Sequence, residues 1–80
     1  MKFDEIWSFS YEEIRDYFLN MGAEEKETVL ILPECRIELE HLPNRELGSL
    51  SFMQVRVMMS GPKCESVHTR FFMDHLRGGA

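Results

Sequence analysis

The spacing of apolar side chains changes along this chain, and that change restricts the fold more than any other feature of the sequence. Between Ser10 and Gly22 the apolar residues recur every three or four positions, as one face of a helix requires. In several other segments they alternate with polar residues, as in a strand with one buried face. A chain that mixes these two spacings is expected to pack helices on a sheet, which is the α+β class.

The first helix has signals at both of its ends. Ser10 and Glu13 stand at the spacing of a capping box, and Phe9 and Ile14 stand at that of a hydrophobic staple. Gly22 suits the left-handed residue that commonly ends a helix. We therefore predict a helix from Ser10 to Gly22.

A second helix is predicted from Cys64 to Leu76, because its apolar residues fall on one broad face. Pro62 suits the first position of this helix, and Gly78-Gly79 is expected to end it.

Three strands are predicted around these helices. Residues 2–8 alternate, although a short helix would also align Phe3, Ile6 and Trp7. Thr28–His41 is either one strand bent at Pro33 or a hairpin that turns there; we favour the bend, since a type I turn splays two-residue hairpins. Leu50–Met59 forms the third strand, and residues 23–27 and 43–49 are expected to be loops.

The predicted order is therefore βαββα in a single domain of residues 1–80, with a frayed tail at residues 77–80. Two helices with one apolar stripe each fit a two-layer sandwich, lying on one face of a three-stranded, mainly antiparallel sheet. A right-handed strand–helix–strand crossover leaves a gap for the third strand. This is the ferredoxin-like order without its fourth strand.

Composition narrows the classes of partner. The 80 residues carry a formal net charge of −5, whereas nucleic-acid binding and anionic membranes both favour basic proteins. We expect neither as a partner, and neither a membrane span nor a signal peptide, because no apolar run is long enough and the N-terminus is acidic. With only two cysteines, which we expect to be reduced, the sequence favours a cytoplasmic protein.

The missing fourth strand points to an interaction surface. It leaves the first strand as an edge with unpaired backbone groups. The sheet face away from the helices also carries Ile6, Phe52 and Met58, and Arg56 shares that side of its strand. These four residues are our candidate interface. They favour a small, non-catalytic binding or regulatory module that acts as a homodimer or with another protein.

Two residues are weaker candidates for chemistry. Cys64 and His68 stand four apart on the second helix, a spacing that can hold one metal ion. Cys35 and His41 lie too far apart on their strand to bind the same ion, and His75 lies too far along the helix from His68, so we expect no metal and no cofactor. Cys64 is also a candidate nucleophile at a helix N-terminus, although its position on the apolar stripe predicts a buried thiol.

The alternative to a binding module is an enzyme or an accessory subunit of one. Its site would lie at an oligomer seam and would draw on Arg56, Arg70, His68 or His41. Such a site needs a concave pocket with convergent polar groups and shifted pKa values.

The end of the chain, Leu76-Arg77-Gly78-Gly79-Ala80, resembles the Leu-Arg-Gly-Gly end of the ubiquitin-family modifiers. The resemblance covers four residues and implies a conjugated modifier or carrier. The sequence departs from that family because Ala80 follows the glycines, a helix precedes them, and the opening β-hairpin of that fold is missing.

Overall fold

The computed structural model describes residues 2–78, with side chains through His75. Two helices and five strands occur in that part of the chain. In chain order they are β1 (Lys2–Trp7), α1 (Tyr11–Asn20), β2 (Glu24–Lys26), β3 (Val29–Leu32), β4 (Cys35–Leu47), β5 (Leu50–Ser60) and α2 (Cys64–Gly78).

The five strands form one antiparallel sheet in the order β1-β5-β4-β3-β2. β2 to β5 follow one another as a meander, while β1 pairs with β5 so that Trp7 lies opposite Val55. The α+β class is confirmed, but the three-stranded, ferredoxin-like arrangement is wrong. After α1 the chain enters the sheet at the edge farthest from β1, so no crossover joins parallel strands within the described residues.

The segment Thr28–His41 is a hairpin rather than the bent strand that we favoured. Leu32 pairs with Cys35 across the two-residue turn Pro33–Glu34. Neither turn residue has a positive φ, so the turn lacks the twist that usually suits such a short connection. A tertiary contact holds it in place, because the N–H of Lys63 donates to the carbonyl of Glu34 at 3.1 Å.

The two predicted loops also contain strand. Residues 24–26 form β2, whose Glu-Glu-Lys sequence is exposed throughout and shows no apolar alternation. β4 continues through the other predicted loop, with a β-bulge between Leu42 and Arg45. Pro43 lies in that bulge, one of the few places where a sheet accepts proline. Gly48, with a φ of 62°, begins the actual two-residue turn into β5.

The helices agree more closely with the sequence. The Ser10 hydroxyl caps α1 by accepting a hydrogen bond from the N–H of Glu13 at 3.1 Å, and Gly22 leaves the helix with a φ of 98°. α2 begins at Cys64, two residues after Pro62, rather than at the proline itself. Neither helix, over the residues described, is long and apolar enough to cross a membrane.

Both helices cover the same face of the sheet, as predicted. The interface between them and the sheet is the core, and it includes Ile14, Phe18, Val55 and Phe71, all of which are buried. Phe71 of α2 stacks on Trp7 of β1 at 4.4 Å between ring centroids, while α1 packs toward β3. The opposite face of the sheet has no helix on it, and we call it the open face.

Candidate interaction surface

The open face is defined by the strand register, because residues that pair across antiparallel strands point to the same side. It carries alternate residues of all five strands, and most of its charges come from β1 and β4. These residues are Lys2, Asp4 and Ile6 of β1; Glu24 and Lys26 of β2; Val29 and Ile31 of β3; Arg36, Glu38, Glu40 and Leu42 of β4; and Phe52, Gln54, Arg56, Met58 and Ser60 of β5.

Arg56 ties three strands together at the centre of the open face. Its Nη2 and Nε atoms donate to the two carboxylate oxygens of Asp4 at 2.7 and 2.9 Å, and its Nη1 lies 3.4 Å from Oε1 of Glu40. The hydrogen bond from Arg56 holds the pKa of Asp4 below its ordinary value. The guanidinium is therefore already occupied by carboxylates of its own chain.

A shallow pocket of about 290 Å³ lies at one end of the open face. Met58 contributes an apolar wall, and Lys2, Arg36, Glu38 and Ser60 surround it. Lys2 and Arg36 both pair with Ser60 across adjacent strands, so two cations flank one hydroxyl. Neither cation forms an ion pair with another described residue of the chain.

The other end of the open face extends into a projecting hairpin. Residues 43–53, which we call the distal hairpin, are all exposed. β1 ends opposite Val55 and β3 begins opposite Glu38, so neither strand flanks this part of β4 and β5. The molecule is accordingly elongated, with extents of 42 × 30 × 22 Å.

The distal hairpin concentrates exposed apolar side chains. Leu47 and Leu50, which pair across its turn, are 52% and 60% exposed; Phe52 is 40% exposed and Met53 is 52% exposed. Leu47, Leu50 and Phe52 lie on the side that continues the open face, whereas Met53 points to the side of the helices. A patch of this kind usually marks a contact surface.

All four residues of the predicted interface lie on the open face. Ile6, at 57%, and Phe52 are exposed, while Met58 and Arg56 are half-buried. Leu47 and Leu50 are absent from the predicted interface, because the sequence pattern places the first in a loop and the second only at the beginning of a strand. The Leu-Gly-Ser-Leu sequence was the available signal, since a glycine at the first turn position between two apolar residues marks a tight hairpin.

Cys64 and His68 lie in different surroundings on α2. Cys64 is fully buried at the start of α2, and His68 is directed to β1, where its Nε2 lies 2.7 Å from Oε1 of Glu5. No group of three or more potential ligands with the geometry to hold a metal occurs among the described residues. Burial raises the pKa of the other thiol, Cys35, to about 11, which disfavours the thiolate that nucleophilic chemistry needs.

The residues proposed for a catalytic seam are spread over the molecule. Arg56 lies on the open face, whereas His68 lies between β1 and α2. His41 stacks on Tyr11 of α1 at 4.2 Å, and Arg70 lines a concavity on the outer surface of α2. The fold therefore does not bring these four side chains to one pocket of a single chain.

The structure can be compared with the tail of the ubiquitin-family modifiers only as far as Gly78. α2 continues to Gly78, so the described part of the tail is helical up to that residue. Gly79 and Ala80, and with them most of the frayed tail predicted at residues 77–80, lie outside the described residues.

Comparison of the sequence with known protein families and with curated proteins gives no match.

Proposed function

We propose that this protein is a small binding module that acts through protein–protein contact, and that its partner is a second copy of the same chain. The open face and the distal hairpin together form the proposed contact surface. The observation that carries the proposal is the concentration of Leu47, Leu50 and Phe52, each at least 40% exposed, on the open-face side of one projecting hairpin.

Burial of these side chains would drive association. A large apolar side chain that leaves water contributes about 1.5–3 kcal/mol, and the distal hairpin has no strand of its own chain beside it. Elsewhere on the open face, Ile6 of β1 and Val29 and Ile31 of β3 add apolar side chains. Symmetric dimers are the commonest assemblies of small proteins, because one self-complementary patch is enough to form them.

The placement of the polar groups supports contact rather than catalysis. Arg56, the central cation of the open face, is held by Asp4 and Glu40, which fixes it as part of the sheet surface. Of the candidate catalytic side chains, His68 is held by Glu5 and His41 lies against Tyr11, both on the helix-covered face.

The mass of the full chain in solution tests this proposal. We expect sedimentation at tens of micromolar to give twice the chain mass of 9.5 kDa. Leu50→Asp should weaken the dimer at least about tenfold. Met73→Asp is the matched control, because Met73 is 55% exposed but lies on α2, away from the proposed surface. A particle of 9.5 kDa, or equal effects of the two substitutions, would refute the proposal.

A further inference from the structure

We propose that two copies pack open face against open face with their β5 strands antiparallel, so that the distal hairpin of each copy fills the pocket at the far end of the other. This inference rests on the proposed function and adds the register of the contact. It follows from three features of the open face: the position of the pocket, the position of the apolar hairpin and the charges that remain unpaired.

The register of β5 places the pocket and the hairpin at matching distances from one point. Leu50 and Phe52 lie toward the turn, and Met58 and Ser60 lie at the pocket. We place a two-fold axis between the packed faces, perpendicular to the strands and halfway between positions 54 and 56. This axis sets position 50 of one copy against position 60 of the other. It also sets position 52 against position 58. Phe52 of one copy then covers Met58 of the other, and Leu50 covers Ser60.

The same axis pairs two charges on β4 that have no ion-pair partner among the described residues of their own chain. Arg45 lies opposite Phe52 in the sheet, and Glu38 lies opposite Met58. When Phe52 of one copy faces Met58 of the other, Arg45 of the first copy therefore faces Glu38 of the second. The symmetry forms this pair twice in each dimer.

Two alternative axes create repulsion. A two-fold axis perpendicular to the strands that passes through the paired residues Arg56 and Glu40 sets each of these charges against the same residue of the other copy. A two-fold axis that runs along β5 leaves each residue at the same height along the strands but sets β4 of one copy against β1 of the other. Arg36 and Lys2, which both pair with Ser60, then face each other. Like charges held face to face oppose association. The antiparallel register between positions 54 and 56 avoids both conflicts.

A charge exchange tests this register in the full-length chain. Arg45→Glu and Glu38→Arg should each weaken the dimer at least about tenfold, because each substitution creates two like-charged contacts. The double variant Arg45→Glu/Glu38→Arg should return to within about threefold of the wild-type dissociation constant, since the pair is restored with its signs reversed. Sedimentation equilibrium measures all three constants.

The matched control is Arg45→Glu/Glu46→Arg, which has the same net charge as the double variant. Glu46 neighbours Arg45 but lies opposite Ser51, on the other side of the hairpin. This control should not restore the dimer. If it restores the dimer as well as the Glu38→Arg exchange does, the proposed pair is wrong and only the net charge matters.

A cross-link gives a second measurement of the register. Leu50 and Ser60 are ten positions apart on β5, or about 33 Å at the rise of a strand, so cysteines at both positions cannot bond within one chain. In the variant Leu50→Cys/Ser60→Cys we expect a covalent dimer under mild oxidation by oxidised glutathione. Recovery of monomer alone would overturn the register.

The outcomes separate this inference from the proposed function. A wild-type chain that stays monomeric contradicts both. A dimer that Leu50→Asp weakens, but in which the effects of Arg45→Glu and Glu38→Arg simply add, contradicts the antiparallel register alone and leaves the contact surface in place.

Discussion

The Nε2 atom of His68 lies 2.7 Å from Oε1 of Glu5, and this contact joins α2 to the edge strand β1. The same carboxylate oxygen accepts a hydrogen bond from the indole Nε1 of Trp7 at 3.0 Å. Phe3 stacks on the imidazole of His68, with ring centroids 4.2 Å apart and planes 9° apart. A partly exposed carboxylate thus fixes a histidine and the single tryptophan of the chain.

This arrangement predicts a stability loss in acid. Hydrogen bonds from His68 and then from Trp7 lower the pKa of Glu5 below its ordinary value of 4.5. A carboxyl with a lowered pKa contributes stability above the pKa of the unfolded chain and loses it as the pH falls through the folded value. We expect urea unfolding, followed by Trp7 fluorescence, to show lower stability below pH 4.5.

Glu5→Gln should remove part of that acid dependence, whereas Glu46→Gln on the distal hairpin should leave it unchanged. The contribution of Glu5 to the free energy of unfolding should not exceed about 1 kcal/mol, because its side chain is 41% exposed and solvent screens the contact. The pKa values of Asp4 and Glu25 are also lowered by their arginine partners, so the comparison with the variant is what identifies Glu5. Equal pH slopes for wild type and Glu5→Gln would contradict the prediction.

Tyr17 is expected to ionise at unusually high pH. Burial, followed by the hydrogen bond that its hydroxyl donates to Oδ2 of Asp74 at 2.7 Å, raises its pKa to about 12. An ultraviolet titration of Tyr11→Phe, in which Tyr17 is the remaining tyrosine, measures this value. Adding Asp74→Asn should lower the pKa without bringing it to 10.0, because burial remains. A Tyr17 that titrates at 10.0 before this change would show that the contact does not form.

Gly61 should tolerate no side chain. A Cβ atom at this position would lie 2.5 Å from the carbonyl oxygen of Glu34, and its φ of 133° is one that L side chains rarely adopt. We expect Gly61→Ala to lower the free energy of unfolding by about 1–3 kcal/mol. Gly22→Ala is the matched control, since its φ is 98° with open space around it. If Gly61→Ala lowers the free energy of unfolding no more than Gly22→Ala does, the turn at Glu34 moves away from residue 61.

Both cysteines should resist modification in the folded protein. Cys35 and Cys64 are buried, and burial raises the pKa of the Cys35 thiol to about 11. We expect a thiol reagent to label them at least about 100-fold more slowly in buffer than in denaturant, because labelling requires the structure to open. Fast labelling of either thiol in buffer would contradict the packing of α2 against β4.

The candidate site was only partly available to sequence reasoning. Ile6, Phe52 and Met58 could be assigned to the open face, because successive side chains of a strand point to opposite faces of the sheet, which is a local property. The tight turn at Leu-Gly-Ser-Leu could also be recognised, but the exposure of Leu47 and Leu50 could not, since it depends on β4 and β5 both extending beyond their neighbours. The pairing of His68 with Glu5 joins residues 63 positions apart and leaves no trace in the spacing of either.

The sequence by itself determined the two helices, the alternation along β1, β4 and β5, and the residues that form the centre of the core. Ser10 caps α1, and Ile14, Phe18, Val55 and Phe71 are buried as their spacing requires, because caps and periodicity act over a few residues. Only the tertiary structure decided which strands are neighbours. The Pro33–Glu34 turn is held by Lys63, and β2 has no apolar pattern of its own and pairs with β3. Strand order and turn geometry depend on distant contacts, whose free energy no local pattern expresses.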